Sequence, residues 1–251
     1  MSHNETVRIR PGANVAVLFM HGICATPDNF RSMLPLEEMV PQNWSVYNMV
    51  LDGHCGTVKD FSRSSMKKWR AQADAVFRAL AAQHEKILLV GHSMGTLLAL
   101  ELAMRYPQKV AHLFLLAVPI RVFVKPVAIK NLLRMGLGCV DMSDPVQRSM
   151  VQACGMRLTK KLWKYVPWAP RMVELLRRGY IVGKALPAIG VPMVVWQSSN
   201  DEMVSPRSAV LLRKRTHAQV DILPASTHFY YPPEDVQTVQ NSFASILQLH
   251  L

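Results

Sequence analysis

The stretch LLVGHSMGTLLAL, residues 88–100, decides how the rest of the chain is read. An apolar run of strand character stops at Gly91, shows a single hydroxyl at Ser93, meets Gly95 and becomes apolar again. A strand that turns sharply into a helix brings their backbones together, so side chains at the two flanking positions would collide and glycine relieves them. The serine between is held in a strained backbone conformation, with its hydroxyl exposed and its backbone at a helix N-terminus that favours a developing anion. A turn serine at a strand end is the plainer reading, and five-residue patterns do arise by chance. What raises this one above chance is its place between a strand pattern and a helix pattern.

Outward from that point the elements alternate. VAVLFMHG, residues 15–22, is a continuous apolar run of the kind buried on both faces of a parallel sheet. A helix is expected from Thr26 or Asp28 to Met39, closed by Pro41, then a strand over 45–51. In the segment 64–83, Met66, Trp69, Ala73, Val76, Phe77 and Leu80 recur at three- and four-residue steps, which is one face of a helix. A strand over 86–90, a helix over 94–106 ended by Pro107 and a strand over 110–118 follow. After an irregular helical stretch the rhythm resumes with strands over 193–197 and 220–223 and helices over 206–215 and 234–249. Strand and helix in alternation predict an α/β fold with a mostly parallel sheet. Residues 119–186 read as an insertion above it, within a single domain of 251 residues that shows no internal repeat.

Charge is uneven. The chain has 29 Lys and Arg against 17 Asp and Glu, a net charge of +12, and residues 119–186 hold 13 of the bases but only three of the acids. The N-terminus has no apolar signal region, no run is long enough to span a bilayer, and Cys24, Cys55, Cys139 and Cys154 stand apart without metal-type spacing. Free thiols in such a chain suit a cytoplasmic setting.

A serine hydroxyl alone is a poor nucleophile; it needs an imidazole to take its proton and an acid to hold that imidazole. Asp201 closes the strand MVVWQ in the segment SSNDEMV, at the sheet edge where catalytic groups of open α/β sheets collect, and His228 stands in the loop PASTHFYYPP after the next strand. The order Ser93, Asp201, His228 is the one this architecture uses. Asp221, Asp141 and Asp144 are the competing acids; His54, His92 and His217 are the competing bases. His54 is expected to shape the wall of the site and His21 to fix the first loop, while His92 packs or points away. The amide of Ile23, after His21 and Gly22, and that of Met94 are the candidate oxyanion donors. Cys24 and Cys55 either line the pocket or serve as small buried hydrophobes.

With FMHGICATPDNF, LDGHCGTVKDF, LVGHSMG, SNDEMV and STHF in this order and spacing, the chain resembles the α/β-hydrolase superfamily, in particular its carboxylesterase and monoacylglycerol lipase branch. The resemblance implies the α/β-hydrolase fold, a triad of Ser93, Asp201 and His228, and an oxyanion hole from Ile23 and Met94. It implies no metal and no organic cofactor. The second segment departs from the branch's LPGHG pattern, with Asp52 and Cys55 at the Pro and last Gly positions. In the resembling branch an insertion of this kind roofs the serine, so hydrolysis of a small hydrophobic acyl ester is the implied activity. A thioesterase, amidase or peptidase on the same scaffold is the alternative, as is a binding protein without turnover.

Within 119–186, VFVKPVAIKNLLRMG and KKLWKYVPWAPRMVELLRRGY mix bases with Leu, Met and the aromatics Trp163, Tyr165 and Trp168. Most of the Leu and Met are expected to pack the insertion onto the sheet. Its excess charge fits a solvated face, attraction of anionic substrates, or weak association with an anionic lipid surface. Nucleic acid is disfavoured, because no recognition motif accompanies the charge.

Overall fold

The computed structural model describes residues 4–249, so the ends of the expected domain, residues 1–3 and 250–251, lie outside the described residues. Among the described residues seven strands form one sheet: β1 (Thr6–Arg8), β2 (Val15–Met20), β3 (Ser45–Met49), β4 (Lys86–His92), β5 (Val110–Leu116), β6 (Met193–Ser198) and β7 (Gln219–Leu223). Their spatial order is β1-β3-β2-β4-β5-β6-β7, with β1 antiparallel to β3 and every other pairing parallel. This is the α/β-hydrolase fold with a mostly parallel sheet.

The continuous apolar strands are explained by burial on both faces. In β2, Ala16, Leu18 and Met20 enter one core, while Val17 and Phe19 enter the other. The same alternation holds for Ile87 and Leu89 against Leu88 and Val90 in β4. The first face is covered by α2 (Met66–Ala81), α3 (Met94–Arg105) and α7 (Arg207–Arg215); the second by α8 (Pro233–Leu247) and the segment after β2. A short helix α1 (Val58–Ser62) precedes α2, and α4 (Pro126–Leu137), α5 (Pro145–Ala153) and α6 (Ala169–Ala185) lie between β5 and β6.

Two expectations need correction, and one strand was not anticipated. The helix expected up to Met39 is two 3-10 turns, Pro27–Phe30 and Glu37–Met39, because Pro35 in its middle lacks an N–H donor and cannot continue a helix. The edge strand β1 escapes a hydrophobicity pattern because three residues are too few to show a period, and it is held by pairing to β3. In α4 the burial is the reverse of what packing onto the sheet requires: Ala128 and Asn131 are buried, while Val127, Ile129 and Leu133 are exposed.

The inserted helices are tied down chiefly through α6. The Trp168 indole N–H donates to Val58 O at 3.0 Å, Arg171 donates to Ser62 O at 3.1 Å, and the N–H of Met66 donates to Glu174 Oε2 at 2.8 Å. Arg178 pairs with Glu101 of α3 at 3.0 Å. Among the described residues no helix is long and apolar enough to cross a membrane.

Candidate active site

Ser93 follows the central strand β4 and caps α3 with φ 51° and ψ −121°, a backbone conformation that L side chains rarely adopt. Its N–H donates to Leu116 O at 2.9 Å and its carbonyl accepts from Thr96 N at 3.0 Å, so the turn is fastened on both sides. The glycine after it is obligatory: a Cβ at Gly95 would lie 1.9 Å from Met20 O, inside the backbone of the neighbouring strand. Gly22 has a related task, since its Cβ would stand 3.1 Å from that of Ser93, and its absence lets the loop after β2 approach the serine.

The structure brings together three residues that lie far apart in the chain. Ser93 Oγ is 3.1 Å from His228 Nε2, and His228 Nδ1 is 2.9 Å from Asp201 Oδ2. All three are buried. The other carboxylate oxygen of Asp201 accepts from the N–H groups of Met203 and Val204, each at 2.7 Å. Burial works to raise the Asp201 carboxyl, but the His228 charge and these hydrogen bonds outweigh it and hold the group below the ordinary aspartate value. For His228 burial works downward, and the charge and hydrogen bond of Asp201, with Glu202 adding to them, prevail and raise the imidazole above its ordinary value.

The competing acids and bases do not reach the hydroxyl. Asp144 caps α5, accepting from Val146 N at 2.8 Å, Asp141 accepts from Ser143 N at 2.9 Å, and Asp221 accepts from Gln219 Nε2 at 2.7 Å. His217 is exposed ahead of β7. His92 packs its ring 5.1 Å from that of His228 and is bound through Nδ1 to Asn29 Nδ2 at 3.1 Å; burial pushes it down to about 3, so it stays neutral.

The loop after β2 is held by two further imidazoles. His21 accepts from Leu51 N at 3.1 Å through Nε2, and its Nδ1 donates to Gly22 O at 2.7 Å. His54 Nε2 accepts from Cys24 N at 3.1 Å, and burial lowers its imidazole to about 4. Cys24 itself lies in the left-handed region at φ 58°, and the N–H groups of Ile23 and Met94 have no acceptor among the described residues. Two free amides beside a serine can receive an oxyanion. Burial pushes the Cys55 thiol up to about 11 and raises that of Cys24 well above its ordinary value, so both remain protonated.

One residue at the site escaped the sequence reading. Glu202 is buried, accepts the N–H of His228 at 2.9 Å through Oε2 and leaves Oε1 without a protein partner among the described residues. Burial raises its carboxyl. Its backbone carbonyl accepts from Lys125 N at 2.8 Å, tying the histidine loop to the start of the insertion. The available signal was a second acid directly after Asp201, a costly residue to bury at a strand end without a partner.

A parallel α/β sheet with a hydroxyl, an imidazole and a carboxylate in hydrogen-bonded line at its C-terminal edge defines a protein of the hydrolase class. The family model described as "Alpha/beta hydrolase family" matches residues 17–239, and the chain belongs to that family. No curated protein matches it by sequence. Among solved structures it is similar to a metagenome-derived lipolytic enzyme of the LipS and LipT pair, with a TM-score of 0.73 and 18% identity over 99% of this chain and 98% of that one. A soluble variant of monoglyceride lipase from Saccharomyces cerevisiae superposes with a TM-score of 0.68 at 14% identity, over 98% of this chain and 91% of that chain. A thioesterase domain from the curacin biosynthetic pathway gives 0.60 at 21% identity, over 97% and 94%.

Proposed function

We propose that the protein is a serine hydrolase of carboxylic esters with hydrophobic acyl groups. The observation that carries this reading is the buried line from Ser93 Oγ through His228 to Asp201, at 3.1 and 2.9 Å. Ser93 attacks the acyl carbonyl while His228 Nε2 takes its proton, and the oxygen that becomes negative is received by the N–H groups of Ile23 and Met94. As the carbonyl re-forms, the alcohol leaves with the proton from Nε2. Water then repeats the sequence on the acyl-serine and releases the acid. Asp201 holds Nδ1–H and stabilises the imidazolium throughout.

An apolar acyl group is favoured by what surrounds the oxyanion loop. Ile23, Cys24 and Met94 belong to the same large apolar core as Met156, Leu158, Trp168 and Met172 of the insertion, and a Cβ at Gly155 would stand 2.1 Å from Thr26 Cγ2, so the insertion, which acts here as a cap, lies against this loop. The four free cysteines suit work in the cytoplasm.

A panel of nitrophenyl esters of rising chain length, with matched thioesters and amides, tests the substrate class. Esters are expected to be turned over fastest, with an optimum beyond acetate. Faster cleavage of the thioester would transfer the assignment to a thioesterase, a chemistry borne by one structural neighbour.

The pH profile has a definite sign. Neutral His228 is the base, and Asp201 raises its pKa above the ordinary 6.5, so kcat/KM is expected to climb with pH and reach half its plateau above pH 6.5. A half-maximum below that value, or a flat profile, would remove His228 as the base.

A further inference from the structure

We infer that the outward face of α4, with the 3-10 turn Leu162–Trp168 beside it, is a docking surface for an anionic lipid bilayer. The inference goes beyond the ester reading, and because it concerns binding without turnover the two stand or fall separately. In α4 the small Ala128 and the polar Asn131 are buried, while Ile129, Leu133 and Leu137 are exposed at four-residue steps, 50%, 49% and 39%. Residues four apart share one helix face, so these three make a continuous apolar stripe, and Lys130 and Arg134, each one position further on, run alongside it. A helix with its large apolar side chains in water and small ones inside is oriented for something other than its own sheet. Apolar residues on one side with Lys and Arg beside them are the pattern of helices that lie in a membrane interface.

The turn extends this surface. The two elements adjoin, since a Cβ at Gly136 would stand 3.6 Å from Leu162 Cδ2. Trp163 and Val166 are 67% and 70% exposed, and Lys161 Nζ lies 6.0 Å from the Trp163 ring centre. At the other end, exposed Phe123 lines an open groove of about 830 Å³ together with Arg121 and Arg207, and no carboxylate lines it.

Charge selects the occupant. No acid occurs over residues 121–140 or 145–173, a total of 49 positions that carry ten Lys or Arg. A second copy of the same face would meet that excess with its own, whereas anionic headgroups neutralise it while acyl chains cover Ile129, Leu133 and Trp163.

Co-sedimentation of the full chain with vesicles tests this, comparing pure phosphatidylcholine with equal parts phosphatidylcholine and phosphatidylglycerol at low salt and as salt rises. Binding to the anionic vesicles, weakening with salt, is expected. Lys130→Glu with Arg134→Glu should reduce it roughly tenfold or more, and Ile129→Glu with Leu133→Glu should do likewise, with hydrolysis of a short water-soluble ester unchanged in both variants. No pelleting with anionic vesicles at low salt overturns the proposal, as does equal pelleting of the variants. A concentration-dependent dimer that Ile129→Glu with Leu133→Glu dissolves would assign the face to a second copy instead.

Discussion

Ser93→Ala is expected to remove ester hydrolysis almost entirely, with kcat falling roughly a millionfold, the loss typical when the nucleophile of a triad is deleted. The protein should remain folded. Alanine at position 93 faces the same φ of 51° that serine already tolerates, and among the described residues the hydroxyl has only one partner, His228 Nε2 at 3.1 Å. On the proposed reading the replacement removes the atom that would form the acyl bond, so a fluorophosphonate probe should label the wild-type chain stoichiometrically and the variant not at all. Intact-mass measurement reads both. A wild-type chain that resists the probe would make this a binding protein with a hydrolase scaffold, and labelling of the variant would place the nucleophile elsewhere.

Asp201→Asn should leave binding and fold in place while slowing the reaction about ten-thousandfold, by analogy with the same replacement in other triads. An asparagine oxygen can still accept from Met203 N and Val204 N, so the turn after β6 keeps its two hydrogen bonds. Its amide nitrogen, however, would face His228 Nδ1 as a donor. The imidazole must then place its proton on Nε2, pointing a donor at Ser93 Oγ where the reaction needs an acceptor. The imidazolium also loses the carboxylate that raises its pKa. A fall in kcat with little change in KM or melting temperature is the expected result, together with probe labelling that is slowed and not abolished. Loss of structure on the same replacement would mean that Asp201 chiefly anchors the β6 turn.

These two replacements separate functions that the chain order already suggested. Ser93 was legible because a strand-to-helix turn with glycines on both sides has a steric reason, and the 1.9 Å approach of a Gly95 Cβ to Met20 O is that reason in coordinates. Asp201 and His228 were legible because strand ends in a parallel sheet all emerge on one edge. Glu202 was not, since its role depends on the N–H of a residue 26 positions away. The roles of His21 and His54 were only half visible: His21 was expected to fix the first loop and His54 to shape the wall of the site, but not that His54 accepts from Cys24 N and so holds that loop too. The break at Pro35 was present in the sequence, but the expected helix was set by its N-cap candidates and by Pro41 as its end.

By itself the sequence determined the alternation of strands and helices, the two-sided burial of the central strands and the order of the three polar groups, because periodicity and glycine placement are local properties. Only the tertiary structure decided which atoms meet: that His228 lies between Ser93 and Asp201, that Glu202 grips the histidine loop, and that α4 turns its apolar stripe outward. Hydrogen bonds act over about 3 Å, and which face a helix presents is settled by what already fills the space beneath it.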